Sequence, residues 1–158
     1  MTVSYSQQSL LEIAAGLKVS KAANASPLAT GGVNLFTVSG GRILLVALYG
    51  EVTTVIQAQA TTVKFTSTPT SLGSAVDLSS AATDLTGKEV GAHITLASPP
   101  AAGSAVVATL GGYVNLPAQR TLVPSGVISV TYGAASTGAI MYDLIYVPYD
   151  AGATVAAD

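Results

Sequence analysis

The best apolar run in this chain of 158 residues, Ile43-Leu44-Leu45-Val46-Ala47-Leu48-Tyr49, lasts seven positions before Gly50 and Glu51 stop it. That length suits a buried strand and falls far short of the roughly 20 residues a membrane-spanning helix needs. Mean hydropathy is nevertheless +0.56, so the apolar character is dispersed over many short segments. Sixteen Gly and seven Pro punctuate them. Short runs between frequent breakers are the pattern of strands joined by turns.

Val33-Asn34-Leu35-Phe36-Thr37-Val38 precedes the long run, with Ser39-Gly40-Gly41-Arg42 between them. A Gly-Gly pair supplies the positive φ that a tight hairpin requires, so these two runs are expected to pair. After Gly50, the residues Val52, Thr54, Ile56, Ala58 and Ala60 alternate with Thr53, Val55, Gln57, Gln59 and Thr61, the period of a half-buried strand. Residues 63–68 repeat the pattern before Pro69, and shorter candidates lie at 75–78, 90–97 and 105–110. Arg120-Thr121-Leu122-Val123 meets the turn Pro124-Ser125-Gly126, and residues 127–132 and 139–147 form the expected last pair. Eight to ten such strands with hardly any helix imply an all-β fold, a jelly-roll-like β-sandwich that limits open edges.

The first 32 residues differ in texture. Ser9-Leu10-Leu11-Glu12 has capping-box spacing ahead of Ile13, Ala14, Ala15 and Leu17, while Val3 and Tyr5 suit an extended arm equally well. An N-terminal arm or short helix is therefore expected there. Residues 18–32 are breaker-rich and without period, and read as linker. The expected organisation is an arm and linker over 1–32, a sandwich over 33–148 and a loose tail over 149–158.

Zero Cys excludes disulfide scaffolds, thiol catalysis and Cys-based zinc sites. A lone His93 supplies no multi-histidine metal site, and no phosphate-binding Gly-rich loop opens a helix. No cofactor and no metal are expected. Charged residues make up 9% of the chain, where about 25% is usual, and the net charge is −2. Such a balance offers no footprint for nucleic acid or a membrane surface. The first eight residues lack the cationic and apolar regions of a secretory signal, so use without export by that route is expected.

Few groups carry candidate chemistry. His93 shares an expected strand face with Thr95, away from Ala92, Ile94 and Leu96, and points outward. Asp77, Asp84 and Glu89 fall beside turns, where Asp bonds its own backbone. Asp143 stands out inside the apolar segment Met141-Tyr142-Asp143-Leu144-Ile145-Tyr146, and is expected either to face an edge or to be paired, with Arg42 and Arg120 as the candidate partners. Tyr113, Tyr132, Tyr142, Tyr146 and Tyr149 suit core edges or subunit contacts, or stacking on a sugar.

A surface drawn from Thr, Ser, Ala, Gly and Gln resists association poorly and can be buried among copies without stranding charge. No catalytic residue is assigned. Tyr5, Leu10, Leu11, Ile13 and Leu17 are the candidate partner-binding residues, placed to strap onto a neighbour.

Leu35-Phe36-Thr37-Val38-Ser39-Gly40-Gly41-Arg42, Leu48-Tyr49-Gly50-Glu51-Val52-Thr53-Thr54, Leu122-Val123-Pro124-Ser125-Gly126-Val127-Ile128, Thr137-Gly138 and Tyr146-Val147-Pro148 resemble a pattern in small virion-associated proteins of tailed bacteriophages. The likeness runs from Leu35 to Pro148 and is most similar to head-decoration (cement) proteins. It implies a non-enzymatic homotrimer, made in the bacterial host cytoplasm, that sits on the outer capsid surface and braces the major capsid protein. Terminal segments would contact the shell. The other functions weighed are a tail-fibre or tail-tip adhesin binding a host glycan through exposed tyrosines, and a small glycosidase or esterase using Asp143 or His93.

Overall fold

A computed structural model describes residues 14–23, 28, 30–71, 73–80, 83–96, 106–108 and 120–158. Its elements are β1 (Leu17–Lys21), β2 (Gly31–Ser39), β3 (Ile43–Thr54), β4 (Thr62–Pro69), β5 (Val76–Asp77), β6 (Thr83–Asp84), β7 (His93–Thr95), β8 (Val106–Ala108), β9 (Thr121–Val123), β10 (Gly126–Tyr132), β11 (Ala139–Pro148) and β12 (Thr154–Ala157). They form two antiparallel six-stranded sheets, a β-sandwich. The first sheet runs β1-β11-β3-β7-β8, with β9 also paired to β3; the second runs β12-β2-β10-β4-β5, with β6 also paired to β4.

The joints expected to be hairpins are corners between the sheets. β2 lies in the second sheet and β3 in the first, so Gly40 and Gly41 carry the chain across rather than back. Both have positive φ, at +73° and +145°, and a Cβ on Gly41 would meet the Asp150 Cβ at 2.6 Å while one on Gly40 would press on the Gly152 carbonyl oxygen. Glycine is needed here for close approach as much as for turning. β9 and β10, and β10 and β11, likewise lie in different sheets and are not partners. The jelly-roll-like feature is this alternation of consecutive long strands between layers.

Two more expectations change. The apolar run continues through Gly50 into Thr54 as one strand of 12 residues. A Cβ at Gly50 would lie 2.7 Å from Tyr142 Cε1 and 2.9 Å from Ile140 Cγ2, so glycine makes room for those side chains rather than ending the strand. The stretch read as linker contains β1, and the tail expected to be loose contains β12, paired with residues 36–39 of β2.

Alternation builds the core. Ile43, Leu45, Leu48 and Val52 from β3 and Tyr142, Leu144 and Tyr146 from β11 face Phe36, Val63, Phe65, Ile128 and Val130 of the other sheet, all buried. The β2–β10 register shifts between Ile128 and Ser129, and Leu35 and Phe36, neighbours in sequence, are both buried there. Phe65 meets the Tyr142 ring edge-on at 5.9 Å, and the Tyr132 and Tyr142 hydroxyls lie 2.7 Å apart. These two polar atoms answer each other inside the core, as buried hydroxyls must.

Candidate functional site

The outward face of the first sheet carries the most concentrated polar group. Register places Ser20 of β1, Asp143 of β11, Tyr49 of β3 and Thr95 of β7 side by side, and two residues along β3 Glu51 stands opposite His93. Asp143 is only 2% exposed. Its Oδ2 accepts a hydrogen bond from the Tyr49 hydroxyl and an ion pair from Lys18 Nζ, both at 2.8 Å. Burial opposes ionisation of this carboxyl, but hydrogen bonds from Lys18, Ser20 and Tyr49, with the Lys18 charge, outweigh it and hold the pKa below the usual carboxylate value. Tyr49 is shifted upward by its own burial and by Asp143, so the phenol stays a donor.

The partner of Asp143 is therefore neither arginine. Arg42 instead clasps Asp150 through Nε and Nη2, each at 2.8 Å, and lies 4.8 Å over the Tyr149 ring. This pair fastens the corner at residues 40–42 to the turn between β11 and β12. Arg120 donates to the Ala14 carbonyl at 3.3 Å. The reason sequence reasoning missed Lys18 is that it sits in a segment without visible period, whose strand character comes from pairing with β11.

His93 does not combine with Asp143. Its Nδ1 is buried without a hydrogen-bond partner, while Asp143 is engaged by Lys18 and Tyr49, so the Asp–His contact that a triad uses is not made through Nδ1. Asp77 pairs with Lys64 at 3.1 Å, and Asp84 accepts from the Thr86 amide at 2.9 Å in the local turn bond expected of it. Among the described residues no group of three or more His, Asp or Glu is placed to hold a metal ion.

The tyrosines are mostly internal. Tyr132, Tyr142 and Tyr146 are buried, and the Tyr146 hydroxyl accepts from the Val155 amide at 3.3 Å. Burial pushes Tyr132 up to about 12 and Tyr142 well above its ordinary value, consistent with structural, neutral phenols. Tyr149 is exposed but already holds Arg42 against its ring, and Tyr113 lies outside the described residues.

Of the candidate partner-binding residues, Tyr5, Leu10, Leu11 and Ile13 also lie outside the described residues. Ala14 and Ala15 are helical ahead of Gly16, and Leu17 is the first residue of β1, opposite Tyr146 and packed on the core. Leu17 is thus engaged within its own sandwich. One feature sequence reading did not anticipate is a groove of about 260 Å³ at the sandwich edge between β9 and the β4–β5 pair, lined by Ser67, Val76, Leu78, Leu122, Val123 and Pro124 among others. Small-molecule sites usually exceed roughly 300 Å³, so this one suits one or two side chains. Comparison with protein-family models, with curated proteins and with solved structures finds no match.

Proposed function

We propose that this protein is a non-enzymatic decoration protein of a phage capsid, a homotrimer bound to the outer surface of the shell that braces the major capsid protein. The observation that carries the reading is how charge is disposed. Lys18 with Asp143, Arg42 with Asp150 and Lys64 with Asp77 neutralise one another within the fold. What remains outward is largely Thr, Ser, Ala and Gly, which a neighbouring subunit can cover with little desolvation penalty. The motif resemblance from Leu35 to Pro148 points the same way. Contact with the shell is assigned to the segment ahead of β1.

The test is occupancy on capsids. Purified protein is mixed with capsids lacking it, and bound copies are counted by imaging and by mass, with the oligomeric state read by native mass spectrometry. Trimers decorating the shell at fixed stoichiometry are expected. A variant lacking residues 1–13, which keeps Leu17 and all of β1, should fold and fail to bind. Full occupancy by that variant rejects the assigned anchor, and absence of binding by the whole chain rejects decoration altogether.

A further inference from the structure

Five large apolar side chains are exposed among the described residues: Val55, Val76, Val90, Leu122 and Tyr149. Tyr149 is covered in part by the Arg42 guanidinium, 4.8 Å over its ring. The other four fall into two pairs at opposite ends of β3. Val76 and Leu122 line the groove between β9 and the β4–β5 pair, and β9 is paired with residues 43–45, where β3 begins. Val55 follows Thr54, where β3 ends, and Val90 lies in the segment bonded alongside that end. At ~3.3 Å per residue the two pairs are roughly 35 Å apart along the strand, too far to cover each other within one copy.

One pair is concave and the other convex. The Ala92 amide donates to the Glu89 carbonyl at 3.1 Å, closing a β-turn with Val90 and Gly91 at its corners. Gly91 has a φ of +84°, the sign a type II turn needs at its third residue, and Val90 is carried at the tip. Bonds from the Val52 amide to the Ala92 carbonyl at 2.9 Å and from the Ile56 amide to the Lys88 carbonyl at 3.0 Å fasten the turn to the end of β3. Val90 is 60% exposed there. A side chain held out on a fastened turn loses little freedom on binding. The groove, about 260 Å³ in volume, has room for it, and its walls leave Val76 58% and Leu122 45% exposed.

Charge agrees with shape. Lys88 and Glu89 immediately precede Val90, and Glu89 has no ion pair among the described residues. The groove carries Asp77 on its β5 wall, still half exposed beside Lys64, and exposed Arg120 at the head of its β9 wall, bonded to the Ala14 carbonyl. A turn offering one base and one acid can therefore meet a groove offering one acid and one base.

We infer that the groove takes the Glu89–Ala92 turn of a second copy of this chain, Val90 entering between Val76 and Leu122 while Glu89 meets Arg120 and Lys88 meets Asp77. The contact is head to tail, and such contacts close into a ring or run on as a chain according to the rotation between successive copies. A single one is small beside the roughly 1,200–2,000 Å² of a stable interface, so it is weak in dilute solution and gains force when copies are held together. It names the surface by which copies in the proposed assembly touch, and rests on that reading only in expecting them to touch.

Sedimentation velocity of the full-length chain from micromolar to millimolar concentration tests the contact. The wild type should associate as concentration rises. Val90→Asp and Leu122→Asp, both at exposed positions and checked for unchanged melting, should each weaken association at least about tenfold. Each of these variants keeps one intact half of the contact, so an equal mixture of the two should form a dimer and nothing larger. Glu89→Arg and Arg120→Glu should each weaken association, and their combination in one chain should restore it. A wild type that stays monomeric, a Val90→Asp variant that associates normally, a mixture without dimers, or a charge reversal without rescue overturns the inference. A ladder of stacked copies sustains the contact while counting against the trimer. No capsid enters these measurements, so failure on capsids leaves their outcome standing.

Discussion

Asp143 shows how one charged side chain is kept inside an apolar strand. It faces outward from its sheet yet is buried, and Lys18, which is half exposed, supplies the compensating charge from the edge strand. Lys18→Ala leaves the carboxylate with Tyr49 alone at Oδ2 and should destabilise the protein by about 1–2 kcal/mol, less than a fully buried pair because Lys18 keeps part of its hydration. Denaturant midpoints check this. The pH dependence follows from three depressed carboxyls: Asp143, Asp84, which Thr86 holds down by hydrogen bonds, and Asp150, which Arg42 holds down to about 2. A carboxyl whose folded pKa is lowered contributes stability that is complete above its unfolded value of about 3.9 and lost as pH falls through the folded value. Stability should therefore decline from about pH 4 toward pH 2, and Arg42→Ala should flatten that limb. Unfolding midpoints measured across this range decide it. Asp143 was visible from sequence because a lone carboxylate in an aliphatic run demands a partner. Lys18 was not, since its neighbours Gly16, Ser20 and Ala22 carry no period.

Strands were legible where alternation reached four or more positions, as in β2, β4, β10 and β11, because period fixes which side chains face the core. Pairing was not, for a physical reason. Gly40 and Gly41 supply the same backbone freedom to a hairpin and to a corner, and the difference lies in what waits on the far side, here the turn at residues 149–153. Likewise Gly50 resembles a strand end until the Tyr142 ring is seen to occupy the space of its missing side chain. The terminal strands β1 and β12 are short and weakly patterned, and take their order from neighbours 120 or more residues distant in β11 and β2 respectively, or nearly so. The corner makes a discriminating prediction. Gly152→Ala, where a Cβ has nothing within 4 Å, should cost only the left-handed strain of about 1–2 kcal/mol. Gly40→Ala adds collision with a backbone oxygen and should cost clearly more. Calorimetric melting of the two variants side by side tests the comparison.

The whole molecule is two layers closed by strands that cross repeatedly between them, with Lys21 of β1 bonded to the Asp158 main-chain oxygen where the outer strands β1 and β12 lie together. Three ion pairs among the described residues hold six of its charged side chains within the fold. The topology has a further consequence. β1 and β3 find their principal partner in β11, and β2 in β10 and β12, so the first strands of the chain are completed only by the last. A polypeptide halted before Gly126 should accordingly show no protease-resistant core, whereas one extended through β12 should, a contrast that pulse proteolysis of stalled nascent chains can read. During synthesis at about 5–20 residues per second, the aliphatic run at 43–49 waits several seconds on the ribosome for its mate. With so little charge to keep it apart from its siblings, this product should lean on holdase chaperones until its closing strands emerge.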